Sequence, residues 1–257
     1  MTHAVAAPGT AVLPLCWICR TRPADSGDHR LKASDLRAGA PGLSQAAPVF
    51  LQRGRATNDR IGSAKADKLK YPKSICRDCN STLTQPYDLA WETLSAYMQA
   101  NWPVLVKRGS FDLSKAFPGG TRAAALNVHL FFVKLLGCKL HEGSAPVDLA
   151  PFSQALLKGS PHPGVAIKIA DTDLGEGRMM LYDSAVHARL SPAGELHGAV
   201  WSYQFRRVLV TVMYIKAGAS LKMVGYPWHP SRPSKIVKLS PDVGSSEPDA
   251  GPGAAPP

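Results

Sequence analysis

Cys16-Trp17-Ile18-Cys19 and Cys76-Arg77-Asp78-Cys79 are two C-x-x-C pairs, and their spacing makes them the segments that decide the fold. A gap of two residues lets both sulfur atoms of a pair face one tetrahedral ion about 2.3 Å away. Two such pairs complete a Cys₄ set, the arrangement usual for structural Zn²⁺. The alternatives are two unrelated pairs or one redox-active pair. Identical spacing, with Cys138 as the only other cysteine, favours one shared Zn²⁺.

The composition excludes several classes of protein. Of the 257 residues, 45% are hydrophobic, which is enough for a packed core and excludes wholesale disorder. The 22 Gly and 22 Pro follow no period and no heptad run appears, so the chain is neither collagen-like nor a coiled coil. The formal net charge of +11 favours a polyanionic partner, most simply nucleic acid. A basic protein without such a partner is the alternative.

The N-terminus lacks the pattern of a secretory signal, because no Lys or Arg opens it and Pro8 and Pro14 interrupt its apolar stretch. The most apolar region, residues 123–136, is too short to span a bilayer and contains His129 and Lys134. We therefore expect a cytoplasmic protein with no membrane contact. In that compartment cysteine pairs hold metal more often than they form disulfides.

Two short motifs accompany the cysteine pairs. Asp28-His29 follows Cys19 by nine residues, and Asn80 directly follows Cys79. This order resembles the zinc-bearing HNH (ββα-metal) endonucleases over roughly residues 16–100. In that family, a strand after the first cysteine pair ends in an acid–His pair. The second cysteine pair opens a short helix, and His or Asn comes next. The resemblance implies a treble-clef, ββα-metal zinc module.

The resemblance also implies roles for individual residues in the hydrolysis of DNA phosphodiester bonds. His29 would be the general base, Asp28 and Asn80 would hold a catalytic Mg²⁺ or Mn²⁺, and Asn58 would orient the base. The residue types suit this chemistry independently, since an imidazole accepts protons near neutral pH. Carboxylate and amide oxygens are hard ligands that suit Mg²⁺ or Mn²⁺. A zinc treble clef that binds nucleic acid without cutting it is the alternative.

A run of basic residues leads into the second cysteine pair. Residues 53–77 hold eight Lys and Arg against Asp59 and Asp67, an excess of +6. Such side chains supply affinity for phosphates but no specificity for the nucleic-acid sequence. The alternative is a solvated loop that binds no ligand. We expect DNA, with RNA as the alternative, to contact Arg30, Lys32, Arg53, Arg55, Arg60, Lys65, Lys68, Lys70, Lys73 and Arg77.

The remaining patterns predict an α+β protein in four parts, and they leave its oligomeric state open. Residues 1–14 form a disordered arm, 15–108 the HNH-like zinc module, 109–240 an α+β region and 241–257 a disordered Pro/Gly tail. Hydrophobic spacing predicts a helix from Pro86 that ends at Trp102-Pro103, and further helices over 123–140 and 149–157. Alternating residues predict an antiparallel β-meander with strands over 165–170, 179–182, 199–205 and 208–215.

Overall fold

The computed structural model of the chain describes residues 13–53, 57–172, 181–219 and 226–240. Residues 1–12 of the predicted arm, the predicted tail 241–257 and Arg55 lie outside the described residues. The helices are α1 Ala33–Gly39, α2 Gln85–Arg108, α3 Leu113–Ala116, α4 Thr121–Glu142 and α5 Ala150–Lys158. The strands are β1 Val49–Arg53, β2 Thr57–Ile61, β3 Ser110–Asp112, β4 Val165–Asp171, β5 Leu181–Asp183, β6 His187–Leu190, β7 Leu196–Phe205, β8 Val208–Ile215 and β9 Ile236–Ser240.

Helix α2 begins where Pro86 predicts but continues past its predicted end. Pro103 lies inside the helix, which stops at Arg108, before Gly109 in the left-handed conformation (φ +65°). An internal proline costs a helix about 3 kcal/mol. Trp102 and Leu105 are both buried, on either side of Pro103. Burying such side chains contributes about 1.5–3 kcal/mol each, which offsets the loss.

Helix α4 confirms the predicted buried helix and forms the centre of the core. Trp91 of α2 stacks on Phe131 with ring centroids 5.5 Å apart, and it meets Phe132 edge-on at 4.7 Å. By length and composition alone α4 could cross a membrane, and no other described helix could. However, 78% of its most apolar window is buried inside the protein, as in the core helix of a globular domain.

The fold is mixed α/β, with a mixed sheet. In the described part of the chain the strand order is β2-β1-β5-β7-β8-β4-β9-β3, and β6 also pairs with β7. The pairs β1–β5 and β4–β9 are parallel, and the others are antiparallel. Among the predicted strands, β5, β7 and β8 are joined in this order by antiparallel pairs, residues 179 and 180 lie outside the described residues, and β6 was not predicted. The remaining predicted strand, β4, pairs antiparallel with the other edge of β8.

The sheet and the core run across the predicted boundary at residues 108 and 109. Strands β1 and β2 precede that boundary, yet β1 pairs with β5, which follows it. One hydrophobic cluster includes buried side chains from both sides, from Cys16 to Leu239. The two-part division stays a prediction, but the two parts share one core.

A close contact packs the first cysteine pair onto α4. The indole ring of Trp17 lies against the backbone of Gly137, so closely that a Cβ at this position would overlap the ring. The hydroxyl of Ser153, on α5, donates a hydrogen bond to the carbonyl of Ile18 at 2.5 Å. The cysteine pair is thus held against two helices that come more than a hundred residues later.

The Gly137 contact generates a stability prediction. Gly137→Ala should lower the free energy of unfolding by about 1–3 kcal/mol, because the added methyl group overpacks against Trp17. This loss would appear despite the gain of about 1 kcal/mol that Ala brings to a helix interior. Urea unfolding followed by circular dichroism measures it. Gly119→Ala, where the methyl group would meet nothing within 4 Å, is the control. Equal or higher stability of Gly137→Ala would refute the close contact.

Candidate functional site

The four paired cysteines converge on one point and are positioned to bind a metal ion. Their sulfur atoms all lie within 4.8 Å of one another, and the Sγ atoms of Cys19 and Cys76 are 3.8 Å apart. None of the four is in a disulfide, and all except Cys19 are buried. The convergence across 56 intervening residues supports a zinc module.

Local backbone geometry builds each half of this cluster. The backbone N–H of Arg20 donates to the carbonyl of Cys16 at 2.8 Å, and Arg20 takes the left-handed conformation (φ 58°) that closes the turn. In the second half, the Cys79 N–H donates to the Sγ of Cys76 at 3.4 Å. A bond from the Trp17 N–H to the carbonyl of Ser74, 3.1 Å long, ties the two halves together.

The thiols suit a divalent cation. Burial raises the pKa values of Cys16 and Cys79, so these groups would stay neutral without a nearby positive charge. Desolvation also acts on Cys19, but hydrogen bonds from Thr21 and Arg22 outweigh it and lower its pKa to about 6. A bound cation deprotonates such ligands, and four thiolates in a closed cluster are a typical donor set for structural zinc.

The segment after the first cysteine pair forms a short antiparallel ladder with the segment before the second pair. Ser26 bridges Ile75, and His29 bridges Lys70. The N–H of Tyr71 donates to the carbonyl of Asp28 at 2.8 Å. Helix α1, β1 and β2 are therefore an insertion within this ladder, which explains the long gap between the two cysteine pairs.

A cleft of about 860 Å³ opens beside the ladder and holds several of the predicted site residues. The side-chain amide of Asn80, in the π-helical turn Cys79–Leu83, donates from Nδ2 to the Oγ of Ser26 at 2.9 Å. The structure thus brings Asn80 and His29 to one cleft across 50 intervening residues. The predicted residues that line it are His29, Arg30, Arg53, Lys68, Lys70, Lys73 and Asn80.

Asp28 and Asn58 do not line this cleft. Asp28 is buried, and its Oδ2 lies 2.8 Å from the Nζ of Lys134 on α4. Its other oxygen, Oδ1, accepts the backbone N–H of His29 at 2.8 Å. Asn58 is an exposed residue of β2, opposite Gln52 of β1. A periodic ladder turns alternate side chains to opposite faces, which separates Asp28 from His29.

The predicted divalent cation held by Asp28 and Asn80 does not fit these positions. The ammonium of Lys134 already forms an ion pair with the Asp28 carboxylate at 2.8 Å, and Asp28 does not line the cleft. A second cation at this carboxylate would meet the Lys134 charge at close range, in a place shielded from solvent. The structure therefore corrects the expectation of Mg²⁺ or Mn²⁺ at this pair of residues.

His29 has the ionisation state that a proton acceptor needs. Its ring is half-buried, and this desolvation lowers its pKa below the usual 6.5, although the charge of Asp28 opposes the shift. The imidazole is consequently neutral at pH 7, with a nitrogen lone pair available to a proton donor in the cleft.

Many of the predicted nucleic-acid contacts are engaged within the protein. Arg30 is buried, binds Glu142 and Asp183 and stacks on Tyr71, so its part is structural. Ion pairs also engage Lys32 with Asp88 and Glu92, Arg53 and Lys68 with Asp59, Lys70 with Asp67, and Arg77 with Asp25, while Arg60 binds Gln45.

Lys65 and Lys73 are exposed. Only Lys73 of these two lies on the cleft, whose five Lys and Arg face the three carboxylates of Asp25, Asp67 and Glu142, a net charge of +2. The local positive excess is therefore smaller than the +6 of the sequence window.

Sequence reasoning missed the partners of the buried charges, above all Lys134 and Asp183. The signal for Lys134 was present, because a lysine in a helix that is apolar nearly all round needs a buried partner. Its partners are far away in the sequence, so the signal does not identify them.

Comparisons of this chain with known protein families, with curated proteins and with solved structures give no match.

The cysteine cluster predicts that the protein binds metal in a fixed ratio to the chain. Purified protein should contain one zinc per chain, and Cys79→Ser should lose it and melt at a lower temperature, because metal binding and folding are coupled. Elemental analysis and thermal unfolding measure both effects. Cys138→Ala is the matched control: it removes a buried thiol of α4 and should keep one zinc. A Cys79→Ser protein with full zinc and unchanged melting would contradict the assignment.

Proposed function

We propose that this chain is a zinc-stabilised, HNH-type endonuclease that hydrolyses DNA phosphodiester bonds in the cleft beside the cysteine cluster. The observation that carries the proposal is the placement of His29 and Asn80 in one cleft, next to four converging thiols. His29 and Asn80, one residue from each motif, meet there although they are far apart in sequence, whereas Asp28 does not line the cleft.

The local topology supports a ββα-metal, treble-clef module. The ladder of residues 26–30 with 69–75 supplies two antiparallel segments. The second cysteine pair then enters the π-helical turn and α2, which supply the helical part. A zinc bound by the cysteines would fix the turn that carries Asn80 against the segment that carries His29.

Electrostatics favour a phosphate as the group bound in the cleft. Lys70 and Lys73 lie on it together with the neutral ring of His29. An exposed Lys73 makes a phosphate contact without first breaking a buried ion pair. Such contacts hold a nucleic-acid backbone in register and leave sequence choice to other groups.

The reaction would be an attack of water on phosphorus with His29 as general base. Water gives a proton to the imidazole while its oxygen forms a bond to phosphorus. The opposite P–O ester bond breaks, and the leaving oxygen takes a proton from solvent. Lys70 and Lys73 would offset the negative charge on the phosphoryl oxygens. By resemblance to the family, the products would carry 5′-phosphate and 3′-hydroxyl ends.

A second candidate is a zinc treble clef that binds nucleic acid, DNA or RNA, without cutting it. The pairing of Asp28 with Lys134 favours this candidate, since it removes one of the two ligands expected for a catalytic cation. The modest charge of the cleft is compatible with either candidate. The two candidates differ in whether His29 takes part in DNA cleavage.

Replacing His29 tests the hydrolytic proposal. His29→Gln should slow cleavage of plasmid DNA by about 10²–10⁴-fold, the usual contribution of a general base, while DNA affinity and zinc content stay unchanged. Gel electrophoresis of the cleavage products measures the rate. His187→Gln, an exposed histidine on β6, is the control and should cleave at the wild-type rate.

The pH profile adds a second readout for His29. Burial lowers the pKa of this group, so the base form should persist on acidification and the rate should fall only below pH 6.5. Equal cleavage by wild type and His29→Gln would remove the residue from the mechanism. DNA binding without cleavage by either protein would favour the second candidate.

The phosphate contact predicts a salt effect. Lys73→Ala should weaken DNA binding and should reduce the slope of log K against log salt by about 1, because one phosphate contact and its counterion release are lost. Fluorescence anisotropy over a salt series measures the slope. Lys158→Ala, which removes an exposed charge at the end of α5, is the control. Identical slopes for wild type and Lys73→Ala would exclude this contact.

A further inference from the structure

A fully buried lysine lies behind the cleft, among oxygen atoms from separate elements. The Nζ of Lys134 is 2.8 Å from the Oδ2 of Asp28 and 2.8 Å from the Oδ1 of Asp88. The hydroxyl of Thr84, directly before α2, lies 3.4 Å from the same nitrogen. Two carboxylates and one hydroxyl therefore surround one positive charge that has no access to solvent.

A second lysine, Lys32, extends this cluster towards the surface. Lys32 lies 3.5 Å from the Asp88 carboxylate and 2.9 Å from that of Glu92 at the exposed margin. The two ammonium groups of Lys32 and Lys134 thus face three carboxylates, those of Asp28, Asp88 and Glu92, of which Glu92 is the most exposed. Burial lowers the pKa of Lys134, but the two carboxylates more than offset this and raise it above its ordinary value, so the group stays charged.

The same set of oxygens would suit a hard divalent cation if the lysine were absent. Carboxylate and hydroxyl oxygens are the ligands that Mg²⁺ and Mn²⁺ prefer. The carboxylate oxygens of Asp28 and Asp88 are each 2.8 Å from one nitrogen, so they lie close enough to share one ion after a small movement. The cluster also reaches the cleft, because Asp28 Oδ1 holds the backbone N–H of His29.

We propose that the ammonium of Lys134 is the permanent cation of this site, that it takes the position beside Asp28 that a divalent metal would otherwise occupy, and that the cleft therefore works without Mg²⁺ or Mn²⁺. Lys134 touches no substrate in this account. It is a positioning residue, which acts on His29 through Asp28. The inference rests on the proposed function only for the part that concerns cleavage.

Manganese binding tests the inference without any nucleic acid. Free Mn²⁺ gives a signal in electron paramagnetic resonance. Adding wild-type protein, with its zinc retained, to a Mn²⁺ solution that holds no other divalent metal should leave this signal undiminished. Lys134→Ala should bind one Mn²⁺ per chain, because it leaves the two carboxylates and the hydroxyl without their cation. Bound Mn²⁺ at about 100 times its Kd should raise the melting temperature of this variant by about 5–10 °C.

Two further variants make the test specific. Lys134→Ala combined with Asp28→Asn removes one charge of each sign and should not gain the Mn²⁺ site. Lys134→Arg keeps a cation beside Asp28, so it should bind no Mn²⁺ and should keep the melting temperature closest to wild type. Together, the Mn²⁺ binding and the melting temperatures of these variants distinguish the loss of a cation beside Asp28 from a general loss of packing around position 134.

The outcomes are distinct from those that test the function. Wild-type protein that binds one Mn²⁺, with the binding lost in Asp28→Asn, would overturn the inference even if Lys134→Ala fails to fold. A folded Lys134→Ala that gains no Mn²⁺ site would also overturn it. If wild type cuts DNA, cutting should not increase when Mg²⁺ or Mn²⁺ is added. Failure of His29→Gln to reduce cleavage would overturn the proposed function and leave the Mn²⁺ results untouched.

Discussion

Convergence of four thiols is the constraint on which the site depends. The two cysteine pairs are separated by 56 residues, and the described part of this stretch contains α1, β1, β2 and both segments of the ladder. Closing so long a loop is entropically unfavourable, and a metal ion shared by the four thiols would offset that cost in a way that no single hydrogen bond does. Once the pairs are joined, the ladder aligns His29 with Lys70, and the following turn brings Asn80 to Ser26.

Buried charges fix the cysteine module onto the rest of the protein. Asp183 of β5 is fully buried and accepts from Arg30, from Lys139 of α4 and from the indole of Trp201 at 2.7 Å. Removing one member would leave an uncompensated charge, which costs about 3–5 kcal/mol. Such networks set which segments can be neighbours. They explain why the ladder, α4 and the sheet form one structure across the boundary that the sequence suggests.

Local patterns predicted much of the fold and part of the site. The spacing of Leu126, Leu130 and Val133 was sufficient for α4, and the β-branched run of β8 was sufficient for that strand, because both signals are contained in one element. The continuation of α2 through Pro103 depends on tertiary burial, and the parallel pairing of β1 with β5 joins distant segments, so neither is encoded locally. The family resemblance implies a metal ion beside Asp28, whereas a lysine more than one hundred residues away is its partner.

X-ray absorption at the zinc edge of the purified protein tests the central claim, that one metal joins both cysteine pairs, most directly. The account predicts a first shell of four sulfur atoms at about 2.3 Å and no nitrogen or oxygen ligand. A shell with two sulfur atoms and two lighter ligands would mean that the pairs do not share an ion. In that case the ladder, and the cleft that it builds around His29 and Asn80, would lose their physical basis.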